Sequence, residues 1–73
     1  MIFMEKEVLI KNISNNLRLQ RAKQRISQDK LSELTGINQQ QISYIENGKA
    51  CPKLETVIKI AEALNISVNE LIY

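Results

Sequence analysis

Three features of this chain predict an all-α fold. From Ile13 onward the apolar residues recur at helical spacing, and no segment commits to the strict alternation of a strand. The same start signal then occurs around Ser27, Asn38 and Ser67. In each case a residue with a good capping side chain stands between two aliphatics, Ile26 and Leu31, Ile37 and Ile42, or Ile66 and Leu71, which take the N′ and N4 positions of a hydrophobic staple. The two glycines, Gly36 and Gly48, both fall where a helix must stop. The reading is a bundle of five helices joined by the short connections usual between packed helices.

Residues 1–12, MIFMEKEVLIKN, are the least regular part, since Ile2, Phe3, Val8, Leu9 and Ile10 fit neither period. They are read as an N-terminal extension to a domain spanning 13–73: an arm, an edge strand used in pairing, or a backward extension of the first helix. The first helix is expected to start at a cap on Ser14 or Asn15 and to run to about Gln24, with Ile13, Leu17 and Arg21 on one face. Ser27 caps the second helix, Asp29 lies in its first turn beside the positive helix end, and Leu31 and Leu34 point inward. Gly36 ends that helix and Asn38 caps the third, with Gln41 as the return partner of a capping-box variant and Ile42 and Ile45 in the core. After Pro52 a fourth helix carries Leu54, Val57, Ile58, Ala61 and Leu64 on its buried side, with Lys59 and Glu62 outside. Asn65 closes it in the left-handed conformation. Ser67 and Glu70 form a capping box for the fifth.

Composition narrows the function classes. With 73 residues the chain is one domain at most, burying little more than about 60% of its unfolded surface. Hydrophobic residues make up 44% and charged residues 25%, ordinary values for a globular domain. The longest apolar run, Met1 to Met4, is too short for a membrane span or a signal-peptide core, so a cytoplasmic location without membrane contact is expected. Cys51 is the lone cysteine and histidine is absent, which excludes an internal disulfide, a zinc site and any Ser-His-Asp or Cys-His arrangement. Glu33, Glu55 and Glu62 are spaced like solvated helix charges, and no enzyme chemistry and no cofactor are indicated. Cys51 itself reads as a small loop residue before Pro52, with redox sensing as the alternative. The net charge is only +2, but residues 1–25 carry +4 and residues 26–73 carry −2, so the positive field lies on the first helix and its exit.

The stretch Ser27 to Lys49, SQDKLSELTGINQQQISYIENGK, reads as two helices and a tight glycine turn, the layout of a helix-turn-helix whose second helix enters the DNA major groove. With Ile42 and Ile45 buried, that helix exposes Gln39, Gln40, Ser43, Tyr44 and Asn47. Gln39 with Ser43 and Gln40 with Tyr44 are i, i+4 pairs. A glutamine amide sets a donor beside an acceptor, matching N6 and N7 of adenine, and such a bidentate pair discriminates by about 1–3 kcal/mol. Tyr44 suits a thymine methyl or a phosphate. Ser27, Gln28 and Gln41 stand at helix N-termini, where backbone N–H groups attract phosphate. Each of these residues could equally be a solvated surface group; their shared position after the glycine turn favours recognition.

From about Ile13 to Ile72 the chain resembles the lambda-repressor-like (Cro-type, XRE) helix-turn-helix family, five-helix DNA-binding domains of bacterial and phage transcriptional regulators. The resemblance rests on Ser27, Gln28, Leu31, Gly36, Ile42, Ile45, Glu46, Asn47 and Gly48 within a long matching string. It implies that Gln28 holds a phosphate and braces the recognition helix. It implies too that Gln39, Gln40 and Tyr44 face base edges, that Ser43 faces the groove or backbone, and that Lys49 and Lys53 follow the DNA backbone. Arg21 and Glu46 match an internal ion pair between the first and third helices. Two positions depart from the pattern. Arg25 replaces a common glycine, so either it strains a left-handed turn while gaining a phosphate contact, or the turn takes another conformation. Lys53 replaces a Ser or Thr cap.

The expected function is sequence-specific binding of double-stranded DNA by a transcriptional repressor or other regulator. It would act as a homodimer on an inverted repeat, since two copies match half-sites about 34–36 Å apart. Val68, Leu71, Ile72 and Tyr73 are the expected dimer surface, the alternative being that they close the monomer's own core. No small-molecule ligand is expected. Within the same class an antitoxin or a restriction-modification controller, regulating its own operon, fits equally; outside it, a protein-interaction module that kept the fold but not DNA binding. An acidic recognition face would favour that last reading, and this one holds no acid.

Overall fold

The computed structural model describes residues 5–73, so Met1 to Met4 of the extension lie outside the described residues. Five helices follow one another: α1 (Lys6–Gln24), α2 (Gln28–Thr35), α3 (Gln39–Glu46), α4 (Leu54–Leu64) and α5 (Val68–Ile72). No strand occurs among the described residues. Helix α1 packs against α3, α4 and α5, while α2 packs against α3 and α4. All five meet on one core of Ile13, Leu17, Leu31, Ile37, Ile42, Ile45, Val57, Ile60, Leu64 and Leu71. Each such aliphatic stabilises the fold by about 1.5–3 kcal/mol relative to exposure.

The expected cap at Ser14 is wrong. Residues 6–12 form the first two turns of α1, which begins after Glu5 with no side-chain cap. Ser14 lies inside the helix, buried, and donates its hydroxyl to the carbonyl of Glu46 at the end of α3. It flanks one edge of the Ile13, Leu17 stripe, and Asn12 and Asn16 flank the other. Asn12 Nδ2 donates to the Ile72 carbonyl at 3.1 Å and Asn16 Nδ2 to that of Leu71 at 2.9 Å. At the far end of α1, Gln24 Nε2 donates to the Leu64 carbonyl at 2.7 Å. The last carbonyls of a helix have no partner within it. One long helix thus supplies donors to the C-terminal carbonyls of three others.

Three junctions repeat one device. Arg25, Gly36 and Asn65 adopt left-handed backbone at the helix ends, with φ of 57°, 76° and 55°. An isoleucine follows each, then the capping residue Ser27, Asn38 or Ser67, whose side chain accepts the N–H three residues on. After α1 and α4 the paired bonds of a Schellman motif are complete, Arg25 N–H to Ala22 with Ile26 N–H to Arg21, and Asn65 N–H to Glu62 with Ile66 N–H to Ala61. Arg25 therefore takes the left-handed conformation rather than an alternative turn. The Ser67, Glu70 capping box is present in full, whereas around Asn38 only the Asn38 half, accepting from Gln41 N–H at 2.8 Å, is made.

Several inward assignments need correction. Leu34 is 50% exposed, Leu54 70% and Ile58 40%, while Ile60 is wholly buried. The buried stripe of α4 runs through Thr56, Val57, Ile60, Ala61 and Leu64, rotated away from Leu54 and Ile58 by the positions of α2 and α5. Leu71 is wholly buried and is withdrawn from the dimer surface. Val68 and Ile72 pack partly against the core, and Tyr73 is 76% exposed.

Candidate nucleic-acid interface

The turn between α2 and α3 is fixed by both local bonds and burial. Gly36 needs its left-handed backbone for conformational reasons alone, since no atom lies within 4 Å of where a Cβ would stand. Thr35 Oγ1 donates to the Leu31 carbonyl at 2.7 Å and accepts the Ile37 N–H at 3.1 Å, while Ser32 Oγ donates to the Ile37 carbonyl at 2.5 Å. Ile37 and Ile42, the staple pair, are buried on either side of the Asn38 cap. The direction in which α3 leaves α2 is thereby set. Its far end closes at Gly48, where Gly48 N–H bonds to Ile45 and Lys49 N–H to Tyr44.

The inner face of α3 is held by charge as well as packing. Glu46 is 3% exposed. Its carboxylate accepts Arg21 Nε at 2.5 Å and Arg21 Nη2 at 2.7 Å, and Gln28 Nε2 at 3.2 Å. Arg21 Nη1 also donates to the Ile26 carbonyl at 2.8 Å. The expected pair of Arg21 and Glu46 is thus a bidentate bridge that also enrols Gln28 and the α1–α2 junction. The hydrogen bond to Glu46 raises the Arg21 pKa, against a smaller opposing effect of burial and with the charge of Glu46 adding to the rise. The sign follows directly: this stabilisation is complete below the ordinary arginine pKa and is lost only as pH climbs through the raised value. Every buried side-chain N and O among the described residues has a hydrogen-bond partner.

The outer face of α3 is left to solvent. Gln39, Gln40, Gln41, Tyr44 and Asn47 are exposed and Ser43 is half-buried. Two i, i+4 bonds run along it, Gln40 Nε2 to the Tyr44 hydroxyl at 3.2 Å and Asn47 Nδ2 to Ser43 Oγ at 3.3 Å. Their direction fixes what the face presents. Gln40 retains its carbonyl oxygen and one N–H, and the hydroxyls of Tyr44 and Ser43, which accept these bonds, retain their hydrogens for donation outward. Gln28, by contrast, sits half-buried with its amide nitrogen on Glu46, while Ser27 uses Oγ to accept the Lys30 N–H at 2.9 Å. Lys49 and Lys53 are exposed on either side of the α3–α4 loop, and Arg25 is exposed just before α2. The structure therefore brings the α3 residues together on one face and turns the Gln28 amide nitrogen toward the scaffold.

Sequence reasoning missed the structural donors Asn12, Ser14, Asn16 and Gln24. Their signal was available: small or amide side chains lining both edges of an apolar stripe are placed to meet neighbouring helix ends.

Comparison with known proteins agrees with this geometry. Residues 17–71 match the model of the HTH_3 helix-turn-helix family. An HTH-type transcriptional regulator of Sinorhizobium fredii is 37% identical over 57 residues, which are 78% of this chain and 29% of that protein. The chain thus spans well under half the length of that relative. Among solved structures, the restriction-modification controller protein C.AhdI of Aeromonas hydrophila aligns with a TM-score of 0.81 and 29% identity, over 85% of this chain and 94% of its own. An HTH_3 family transcriptional regulator of Vibrio cholerae aligns at 0.84 and 30% identity, over 90% of this chain and 38% of its own. A hypothetical transcription factor from Neisseria shares the fold at 0.86 and 24% identity, over the whole of this chain and 85% of its own. Together with the arginine-braced recognition helix, the family match over most of its length shows that the chain belongs to the HTH_3 helix-turn-helix family, the lambda-repressor-like (XRE) class of transcriptional regulators.

Proposed function

We propose that this chain binds double-stranded DNA sequence-specifically and represses transcription, acting as a homodimer on an inverted repeat. The observation that carries the reading is α3 itself: its inner face is fixed by Ile42, Ile45 and the Glu46 bridge, and its outer face offers only uncharged hydrogen-bonding side chains. Gln39, Gln40, Ser43 and Tyr44 meet base edges, with adenine the natural partner of a glutamine amide. Ser27, Gln28, Gln41, Asn47, Lys49, Lys53 and Arg25 lie along the phosphates. The dimer forms through the exposed parts of Val68, Ile72 and Tyr73, because one module of this size covers too little DNA for high specificity alone.

Control of a restriction-modification operon is the more specific reading. It is favoured by the likeness to C.AhdI over nearly that protein's full length. In either case selection from random duplexes should recover a palindrome, with affinity falling steeply as salt rises because phosphate neutralisation releases counterions. Gln40→Ala should relax preference at one base pair, and Lys49→Ala should weaken binding to all sequences and flatten the salt slope. Failure to enrich any sequence at any salt concentration would remove the proposal.

A further inference from the structure

The family match begins at Leu17, yet α1 begins at Lys6, so eleven residues of that helix, Lys6 to Asn16, precede the matched region. They do more than lengthen a scaffold. Ile10 packs toward the turn that ends α3, its Cγ2 lying 3.8 Å from where a Cβ on Gly48 would stand. Beside that contact an open cleft of about 350 Å³ separates the two elements, with Glu7, Lys11, Asn15 and Arg18 on the α1 side and Asn47 and Gly48 on the other. Lys11 and Arg18 are two turns apart on one face of the helix, and both are exposed. Arg18 Nη2 donates to Asn15 Oδ1 at 2.8 Å, which steadies the guanidinium without neutralising it. Neither Lys11 nor Arg18 forms an ion pair among the described residues.

We infer that this cleft is a second DNA-backbone site, in which Lys11 and Arg18 bind phosphate beyond the end of the recognition helix. The inference rests on α3 lying in the major groove. Asn47 belongs to the outer face of α3, bonded to Ser43, and is also one wall of the cleft. A phosphate strand bordering a groove occupied by α3 passes the Asn47–Lys49 turn at the groove edge, and the next cations it meets are those of the opposite wall. Within the Debye length of about 8 Å at physiological salt, two such charges are felt strongly by a phosphate. Arginine is suited to bidentate phosphate contact, and lysine supplies a point charge. Glu7, on the same wall, opposes them and limits how tightly unspecific DNA is held. The uneven charge of the sequence, +4 in residues 1–25, thereby acquires a purpose beyond solubility.

The test is a salt titration of duplex binding by the full chain, comparing Lys11→Ala, Arg18→Ala, Glu7→Gln and, as a control of equal charge change, Lys23→Ala. Lys23 is exposed in the last turn of α1, remote from α3. Loss of one phosphate contact should make the slope of log K against log salt shallower by about 0.9. Lys11→Ala and Arg18→Ala should each do so without changing the selected sequence, and Glu7→Gln should raise affinity. Lys23→Ala should leave the slope unchanged. Equal effects from Lys23→Ala and Lys11→Ala, or no effect from either cleft cation, would overturn the inference while leaving the recognition helix in place. Loss of all binding by the unmodified chain would instead refute the reading on which it rests.

Discussion

Replacing Arg21 by methionine tests the physical account of how α3 is held. Arg21 supplies the two shortest hydrogen bonds to the Glu46 carboxylate, at 2.5 and 2.7 Å, leaving only Gln28 Nε2 at 3.2 Å once it is removed. The Glu46 side chain is 4% exposed, so water cannot replace the guanidinium. Stripping one partner from a buried pair costs about 3–5 kcal/mol, because the surviving charge is left without compensation. A domain of this length has roughly 4–11 kcal/mol in total, at about 0.05–0.15 kcal/mol per residue. At about 4–8 °C per kcal/mol the variant should therefore lose at least about 12 °C in Tm, and a large share of the chain should be unfolded in mild urea. Changing both residues, Arg21→Met with Glu46→Leu, removes the orphaned charge and should recover much of the loss, since apolar replacements of buried pairs are often neutral or better. Thermal and urea unfolding followed by circular dichroism would decide. If Arg21→Met costs less than about 1 kcal/mol, or if the double variant is no more stable than the single one, the bridge is not what fixes α3.

Three further outcomes follow from named contacts. Arg25→Gly should stabilise the domain by about 0.5–1 kcal/mol in urea unfolding, because relief of the left-handed strain outweighs the added freedom of glycine in the unfolded chain. Ser14→Ala should destabilise it by about 1–3 kcal/mol, since the Glu46 carbonyl loses its buried donor, and a change under about 0.3 kcal/mol would show that another group takes over. Tyr44→Phe removes the acceptor that orients Gln40, so selection from random duplexes should show weaker preference at the position Gln40→Ala affects, with unchanged Tm; an unaltered preference would mean that Gln40 needs no such support.

The order of helices and the recognition turn were legible because local signals there agree with one another. Staple, cap and left-handed residue coincide at Ile26, Ile37 and Ile66, and each junction forms as those residues dictate. The start of α1 was not legible for an instructive reason. Asn12-Ile13-Ser14 repeats the tripeptide Asn65-Ile66-Ser67, which ends α4 and caps α5, yet it lies within α1. Nothing local separates the two copies. What separates them is tertiary: Asn12 and Ser14 find carbonyls on α5 and α3, so their side chains need not turn back on their own backbone. Helix α4 misled through excess. Its sequence is apolar on most sides, and periodicity alone cannot choose between the Leu54, Ile58 stripe and the Val57, Ile60, Leu64 stripe.

The candidate site was legible for the complementary reason, that recognition here requires residues without structural duties. Every contact that fixes α3 is made by its inner side chains, its cap or its backbone: Ile42 and Ile45 in the core, Asn38 at the start, Glu46 to Arg21 and Gln28, and the Glu46 carbonyl to Ser14. Gln39, Gln40, Ser43, Tyr44 and Asn47 bond only among themselves or not at all in the printed network of side-chain contacts. Substitution on that face therefore costs the fold little, while surface changes of this kind usually stay within about 0.5 kcal/mol. A module built this way can change what it reads without changing how it folds. That separation explains why the same sequence that announces its architecture at three junctions leaves its DNA target to five side chains facing outward.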